Sequence, residues 1–237
     1  MGLVGARPVG DGPLRRLLDA RLVVGEAFAH GDEDGLTPAE RLLVVGAVPA
    51  RRREFAAGRR LARSALDELG VRADSILSGP RGEPMWPVGV VGSITHCSGY
   101  VGVAVGRRTE VRAVGIDAEP DEPLPEGILH SIADPTEVSM VADLTASAPG
   151  PAWDRLVFCL KEVVFKVWYP LAGSWLDFDD AAVVVDRGSA TFRATLLRPA
   201  PELAALGLPS TLQGSWVRHR GILVAAVRID DLQGSAG

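Results

Sequence analysis

The sequence has little cysteine, little lysine and no long hydrophobic run. Its 237 residues include two cysteines, Cys97 and Cys159, which form neither a CxxC spacing nor a disulfide framework. We therefore expect a reducing, cytoplasmic setting. No apolar run approaches the roughly 20 residues of a membrane helix, and residues 1–19 lack a signal-peptide pattern, so we expect no membrane partner. The net charge of −5 argues against a nucleic-acid partner.

Lysine is confined to one short segment. Among 25 basic residues, only Lys161 and Lys166 are lysine, and all the others are arginine. Because lysine and arginine differ as phosphate ligands and in proton transfer, this pair calls for a chemical explanation. Arginine is itself concentrated in residues 51–63, where a predicted helix carries Arg51 and Arg59 at the edges of its apolar stripe.

Helical and strand-like segments follow one another along the chain. Capping boxes at residues 37–40 and 134–137 predict helix starts, and long helices are expected at about 50–69 and at 153–169, the second ended by Pro170. Each long helix precedes short apolar segments typical of strands, which are expected at 88–91, 100–105, 111–116, 178–185, 191–197, 212–217 and 222–229.

This weak internal echo favours an α+β fold made of two similar α/β halves. We place the halves at residues 1–120 and 121–237, with an acidic, proline-rich linker at 121–127. The tails, 1–11 and 233–237, are expected to be flexible.

Two carboxylates lie two residues apart in the segment VGIDAEP. Asp117 and Glu119 share one face of a predicted strand because side chains alternate along it. Two acids this close repel each other unless a cation or water lies between them, and a hard ion such as Mg²⁺ suits such oxygen ligands. The ordinary alternative is a solvated strand end, and the DxE pattern alone favours that alternative.

The segment FCLKEVVFKVWYP places Glu162 and Lys166 four residues apart on one helix face. A surface salt bridge is the ordinary explanation of such a pair. However, the helix is apolar nearly all round, which is typical of a buried helix. A buried glutamate and two lysines must be paired, metal-bound or facing a ligand, so we interpret this helix as functional.

The segment GSITHC combines Ser93, Thr95 and His96. Backbone N–H groups beside small residues, together with an imidazole, can bind an anion. A structural histidine is the simpler alternative for this motif alone. The sequence contains no evident Ser-His-Asp triad, His-rich zinc set or GxxxxGK[ST] phosphate loop.

Taken together and in this order, the segments resemble the larger, pseudo-dimeric 4′-phosphopantetheinyl transferases of the surfactin-synthetase-activating type, and among these the actinobacterial members. The resemblance rests on WP at 86–87, GSITHC at 92–97, VGIDAEP at 114–120 and the segment 158–170. It implies transfer of the 4′-phosphopantetheine group of coenzyme A to a serine of an apo acyl or peptidyl carrier protein, with 3′,5′-ADP as the other product. It also implies a pseudo-twofold relating the two halves, with coenzyme A in the cleft between them. We expect a monomer.

The resemblance implies catalytic roles as well. Asp117, Glu119 and Glu162 are expected to hold Mg²⁺, and Glu162 is also expected to act as general base for the carrier serine. Lys166 is expected to stabilise charge at the reacting phosphate, with Lys161 assisting nearby.

Coenzyme A binding is assigned to a second group of residues by the same resemblance. His96 is expected to bind a phosphate and to belong to the catalytic set. The remaining residues expected to bind the substrate are Ser93, Thr95, Arg51, Arg59 and Arg81.

Two other functions remain open from the sequence. One is a catalytically inactive protein that binds coenzyme A or a nucleotide. The other is a different Mg²⁺-dependent phosphotransferase that uses the same acids.

Overall fold

The structure, a computed structural model, describes residues 12–29, 31–147 and 149–230. The tails predicted to be flexible, 1–11 and 233–237, lie outside these ranges. No helix in the described ranges combines the length and the apolar character needed to cross a bilayer. The elements, in chain order, are α1 Pro13–Leu17, β1 Leu22–Ala27, α2 Pro38–Leu42, α3 Pro49–Glu68, β2 Val90–Cys97, β3 Tyr100–Arg107, β4 Val111–Pro120, α4 Ile128–Ile132, α5 Pro135–Ser147, α6 Trp153–Ala172, a 3₁₀ turn Phe178–Asp180, β5 Ala181–Asp186, β6 Thr191–Leu196, α7 Ala200–Ala205, β7 Thr211–His219 and β8 Ile222–Asp230.

These elements form two antiparallel sheets with helices packed on them, which confirms the α+β class. The first sheet has the strand order β1-β3-β2. Helix α3 packs on this sheet through Ala62 and Leu66, both fully buried. The predicted helix at 50–69 is confirmed by α3, and the predicted capping box is confirmed at α2, where the Glu40 backbone N–H donates to Thr37 Oγ1 at 3.3 Å.

Helix α1 and strand β1 were not predicted from the sequence. The apolar alternation of β1 is interrupted by Gly25 and Glu26, and Glu26 is buried. Its Oε1 accepts hydrogen bonds from the Leu14 backbone N–H at 2.9 Å and from the Tyr100 hydroxyl at 2.7 Å. A buried, hydrogen-bonded glutamate thus takes an inward position where a strand pattern calls for an apolar residue.

The second sheet has the strand order β4-β8-β7-β6-β5. Helix α6 packs across β4 and β8, and ten of its residues are buried. Its backbone comes so close to β4 that a Cβ at Gly115 would lie 2.4 Å from the Val163 carbonyl oxygen. Since only glycine permits this approach, Gly115 brings the acidic end of β4 against α6.

The expectation that Pro170 ends the long helix is wrong. Helix α6 continues to Ala172, and the chain leaves it at Gly173, which has φ of 63° and donates its backbone N–H to the Tyr169 carbonyl at 2.8 Å. Pro170, in the last turn, lacks a backbone N–H and so removes one helical hydrogen bond. The helix nevertheless continues until Gly173, whose left-handed conformation ends it. The predicted strand at 178–185 likewise begins later, because the 3₁₀ turn precedes β5.

The two sheets meet where β2 lies beside β4. Strand β2 includes residues 92–97, which the sequence analysis placed after a predicted strand at 88–91. Ser93 Oγ accepts from the Ile116 backbone N–H at 3.2 Å, and Thr95 Oγ1 accepts from the Ala118 backbone N–H at 2.9 Å. Side-chain hydroxyls therefore join the edge strands of two different sheets.

The predicted division into residues 1–120 and 121–237 stays a prediction. Strand β4 lies before this boundary, yet it pairs with β8 from beyond it. The predicted linker begins with a buried Asp121 side chain, whose Oδ1 accepts from the Ala152 backbone N–H at 2.8 Å. This segment is therefore attached to the start of α6.

Candidate functional site

Asp117 lies at the centre of the site, on the part of β4 that faces α6. Its side chain is buried, and Oδ1 accepts hydrogen bonds from Lys166 Nζ at 2.7 Å and from Thr95 Oγ1 at 3.1 Å. Burial lowers the pKa of the Lys166 ammonium, but the carboxylate of Asp117 outweighs it, so the net shift is upward. The other oxygen, Oδ2, is buried and receives no N–H or O–H donor among the described residues, while the buried Cys159 thiol interacts with the same carboxylate.

Glu119 and Glu162 lie within the electrostatic reach of Asp117. Burial, and then the charge of Asp117, raises the pKa of Glu119 to about 7, although Arg155 opposes the shift. Burial and Asp117 also raise the pKa of Glu162, against the effect of Lys166. Three acids from β4 and α6 thus share one partly desolvated region, where the charged forms of the two glutamates are disfavoured.

Arg155 belongs to this region, and sequence reasoning missed it. One of its guanidinium nitrogens lies 3.2 Å from Glu119 Oε2, and others donate to the backbone carbonyls of Glu122 and Pro123. The signal that could have found it is helical spacing, because Arg155, Glu162 and Lys166 are seven and four residues apart on one face of α6.

The raised pKa of Glu119 predicts how the stability of the metal-free protein depends on pH. Between its ordinary value of 4.5 and about 7, the folded protein holds this proton more tightly than the unfolded chain does. Stability therefore falls as pH rises through that window. In EDTA, we expect Glu119→Gln to raise the free energy of unfolding at pH 8 but not at pH 4, as measured by urea denaturation.

The exposed Glu68→Gln variant serves as the control for this prediction and should match the wild type at both pH values. If Glu119→Gln changes stability equally at pH 4 and pH 8, burial of Glu119 is not the cause.

A groove runs from Glu162 along β2. One part, a cavity of about 240 Å³, is lined by Glu162 and Lys166 on one side and by Trp86 and Ser93 on the other. An adjoining cavity of about 300 Å³ has Arg51 and His96 in its lining. Both cavities touch Gly82, Pro84 and Ile94. A separate cavity of about 380 Å³ at β5, β6 and β7 contains none of the predicted site residues.

At the far end of the groove, the structure brings Arg51 and His96 together. The Arg51 guanidinium contacts the His96 ring, and Glu54 Oε2 lies 3.4 Å from His96 Nδ1 and 3.6 Å from the guanidinium. An anion entering here competes with Glu54 for the Arg51 guanidinium and the His96 ring.

The other two predicted arginines have different surroundings. Arg59 is buried, and it donates to the Ile76 carbonyl at 2.7 Å and to Ser78 Oγ at 2.9 Å. Burial lowers its pKa to about 10. Arg81 lines the cavity of Glu162, with its guanidinium 5.1 Å from the ring centre of Trp175. Arg59 therefore anchors the chain at 76–78 while lining the cavity of Arg51 and His96, and Arg81 lines the cavity of Glu162.

The placement of Ser93 and Thr95 among the residues that bind the substrate stays a prediction. Both side chains are buried, and both hydroxyls are engaged with the backbone of β4. The reason is strand alternation, which turns Ser93 and Thr95 to the side of β2 opposite His96.

Lys161 is held apart from Lys166. Its ammonium lies 2.7 Å from Glu137 Oε2 and 2.9 Å from the Phe178 carbonyl oxygen. Both side chains of this ion pair are almost fully buried. Lys161 also lines a small cavity of about 90 Å³ beside Glu162, so its assisting role stays a prediction.

We expect Lys161→Met to lower the free energy of unfolding by about 3–5 kcal/mol, because it leaves the buried Glu137 carboxylate without its cation. Urea denaturation at pH 7 measures the loss. The double variant Lys161→Met/Glu137→Gln should lose less than the single variant, and a larger loss in the double variant contradicts this explanation.

The residues at Asp117 fit a magnesium ion. Among the described residues, no three or more His, Cys, Asp or Glu side chains form a ready-made metal site. Mg²⁺ does not need one, since it keeps several waters and binds through one or two carboxylates plus substrate phosphates. The buried Asp117 Oδ2, with Glu119 and Glu162 nearby, supplies such oxygens.

Carboxylates, a partly buried lysine and a groove ending at an arginine and a histidine are typical of an enzyme that transfers a phosphate-linked group. The comparisons with known proteins narrow this class. A family model described as the 4′-phosphopantetheinyl transferase N-terminal domain matches residues 39–106, and one described as the 4′-phosphopantetheinyl transferase superfamily matches residues 113–214.

Known relatives agree with the family models. The 4′-phosphopantetheinyl transferase Svp of Streptomyces mobaraensis is 44% identical over 223 residues, which cover 93% of this chain and 90% of Svp. PptT of Mycobacterium tuberculosis is 44% identical over 85% of this chain and 90% of PptT, and Npt of Nocardia iowensis is 37% identical over 90% and 98%. The chain belongs to the 4′-phosphopantetheinyl transferase superfamily, as the sequence resemblance predicted.

Proposed function

We propose that this 4′-phosphopantetheinyl transferase binds coenzyme A along the groove beside β2 and transfers its phosphopantetheine arm to a serine of an apo acyl or peptidyl carrier protein. The nucleotide end lies at Arg51 and His96, and the diphosphate lies at Lys166. The observation that carries this proposal is the 2.7 Å ion pair between Lys166 and Asp117, which fixes the catalytic face of α6 to the acidic end of β4.

The fold supports a cleft for coenzyme A between two halves related by a pseudo-twofold. Each half contributes a long helix, α3 or α6, that packs on an antiparallel sheet. The groove has β2 on one wall and α6 on the other, so both halves face a ligand bound there.

Glu162 acts as general base on the carrier serine. In the metal-free site, burial and the charge of Asp117 raise the pKa of Glu162, so its carboxylate takes up a proton more readily than an ordinary one. As the serine oxygen bonds to the β-phosphorus of coenzyme A, its proton passes to Glu162. The bond from the β-phosphorus to the bridging oxygen breaks, and 3′,5′-ADP leaves with the electron pair.

Lys166 stabilises the charge that develops on the diphosphate. Asp117 holds its ammonium at the groove wall, where a diphosphate offers a second anionic partner. Asp117, Glu119 and Glu162 would hold a Mg²⁺ ion, which would neutralise further charge on the leaving phosphate. We propose that the enzyme works as a cytoplasmic monomer.

Mass spectrometry of the carrier tests the proposed function. The full chain, incubated with coenzyme A, Mg²⁺ and an apo carrier protein, should add the mass of one phosphopantetheine group to the carrier, and excess EDTA should prevent the addition. A protein that only binds coenzyme A leaves the carrier mass unchanged. A different phosphotransferase adds the mass of a phosphate alone. Either of these results, obtained across several carriers, contradicts the proposal.

A further inference from the structure

Thr95 makes a contact that neither its predicted role nor the mechanism explains. Its side chain is 2% exposed on the face of β2 that meets β4. The hydroxyl lies between two groups of β4, 2.9 Å from the Ala118 backbone nitrogen and 3.1 Å from Asp117 Oδ1.

The chemistry of a hydroxyl group fixes the direction of both bonds. The Ala118 N–H can only donate, so Thr95 Oγ1 accepts there. The single hydroxyl proton is then left to donate to Asp117 Oδ1. Thr95 therefore contacts the carboxylate as a donor whose orientation is set by the backbone of β4.

Asp117 Oδ1 receives a second donor from a different element. Lys166 Nζ, on α6, lies 2.7 Å from the same oxygen. Two donors occupy the two lone pairs of Oδ1 and oppose rotation of the carboxylate group. The buried Cys159 thiol also interacts with this carboxylate. Oδ2, which receives no N–H or O–H donor among the described residues, is the oxygen left to ligate a cation.

We propose that Thr95 is a positioning residue that orients Asp117 so that Oδ2 faces the divalent metal. It acts through Asp117 and does not contact the substrate. The proposal rests on the proposed function, because the metal site belongs to that reaction. It extends that function, because the affinity for the metal then depends on a buried hydroxyl from the other sheet.

Ser93 provides a matched control on the same strand. Its side chain is also buried, and its hydroxyl accepts from the Ile116 backbone N–H at 3.2 Å. Loss of either hydroxyl removes one bond between β2 and β4. Only loss of the Thr95 hydroxyl removes a donor to Asp117.

The test measures Mn²⁺ binding by electron paramagnetic resonance for the wild type, Thr95→Val, Thr95→Ser and Ser93→Ala, each saturated with coenzyme A. Removing a group that orients a metal ligand typically weakens metal binding about 10- to 100-fold, so we expect Thr95→Val to raise the Kd for Mn²⁺ by that factor. Thr95→Ser, which keeps the donor, should bind Mn²⁺ like the wild type, and so should Ser93→Ala.

Two further measurements separate positioning from general damage. Calorimetry in EDTA should give the same Kd for coenzyme A in the wild type, Thr95→Val and Thr95→Ser, while melting temperatures should fall similarly in Thr95→Val and Ser93→Ala. If Thr95→Val is not folded by circular dichroism, Thr95→Ala takes its place. Equal Mn²⁺ affinity in the wild type and the valine or alanine variant overturns the proposal, and so does equal weakening in Ser93→Ala.

Carrier modification by the wild type is measured in the same preparations. If the wild type modifies the carrier and Thr95→Val binds Mn²⁺ as the wild type does, only the role of Thr95 is refuted and the proposed function stands. Absence of modification with every carrier tested refutes the proposed function instead.

Discussion

The Glu162→Gln variant is expected to lose about 10²- to 10⁴-fold in kcat for carrier modification, the range that general-base catalysis contributes. Glutamine keeps the size of the side chain and can accept hydrogen bonds, but it cannot take up the serine proton. Glu162 lies on α6 in the same cavity as Lys166, away from the Arg51 and His96 end of the groove. Binding of coenzyme A should therefore change far less than turnover.

Steady-state kinetics with mass-spectrometric detection gives kcat, and calorimetry gives the Kd for coenzyme A. Glu68→Gln removes an exposed carboxylate on α3 and should leave both quantities unchanged. A parallel loss of turnover and of coenzyme A affinity in Glu162→Gln would assign this residue to substrate binding rather than to proton transfer.

The second large effect is expected at Lys166. Lys166→Met should lower kcat by about 10²- to 10³-fold, which is typical for loss of one group that stabilises transition-state charge. The same substitution leaves the buried Asp117 carboxylate without its ion pair, so the variant should also be less stable. The loss of turnover must therefore be measured on protein shown to be folded.

The Lys166→Arg variant separates the expected loss of turnover from the expected loss of stability. Arginine keeps the charge beside Asp117, but it replaces a compact ammonium with a broad planar group that reaches the diphosphate differently. We expect its melting temperature to be close to that of the wild type and its kcat to be clearly reduced. Wild-type turnover in Lys166→Arg or Lys166→Met would remove Lys166 from the mechanism.

Much of the fold could be predicted because local signals and tertiary packing agree. The capping box at Thr37 and the strong helical periodicity gave α2 and α3 nearly at their observed positions. The apolar surface of α6 made the helix predictable, but the position of its last residue could not be predicted. Pro170 is a helix-ending residue by local rules, and only the left-handed Gly173 shows where the chain turns.

The sequence shows which candidate residues share a strand or a helix face, but it does not show how the strand and the helix contact each other. Asp117 and Glu119 share a strand, and Glu162 and Lys166 share a helix face, so each pair is visible in local periodicity. The ion pair between Asp117 and Lys166 joins residues 49 positions apart, and no local pattern contains it. It depends on the close approach of α6 to β4 at Gly115.

The contacts of Ser93 and Thr95 with β4 could not be predicted from the sequence, for one physical reason. Sequence reasoning treated residues 92–97 as a polar motif beside a strand, whereas β2 runs through them. In a strand, neighbouring side chains face opposite ways, so Thr95 and His96 lie on opposite faces of β2. Recognising the strand would have assigned the two hydroxyls to the side that meets β4.

The most direct test of the site is a crystal structure of the enzyme with coenzyme A and Mn²⁺, with the metal located by anomalous scattering. We predict one Mn²⁺ within about 2.2 Å of Asp117 Oδ2, a distance typical of such hard cations with oxygen ligands, with the diphosphate of coenzyme A between it and Lys166. A metal peak remote from Asp117, or a diphosphate bound outside the groove between β2 and α6, would contradict the account.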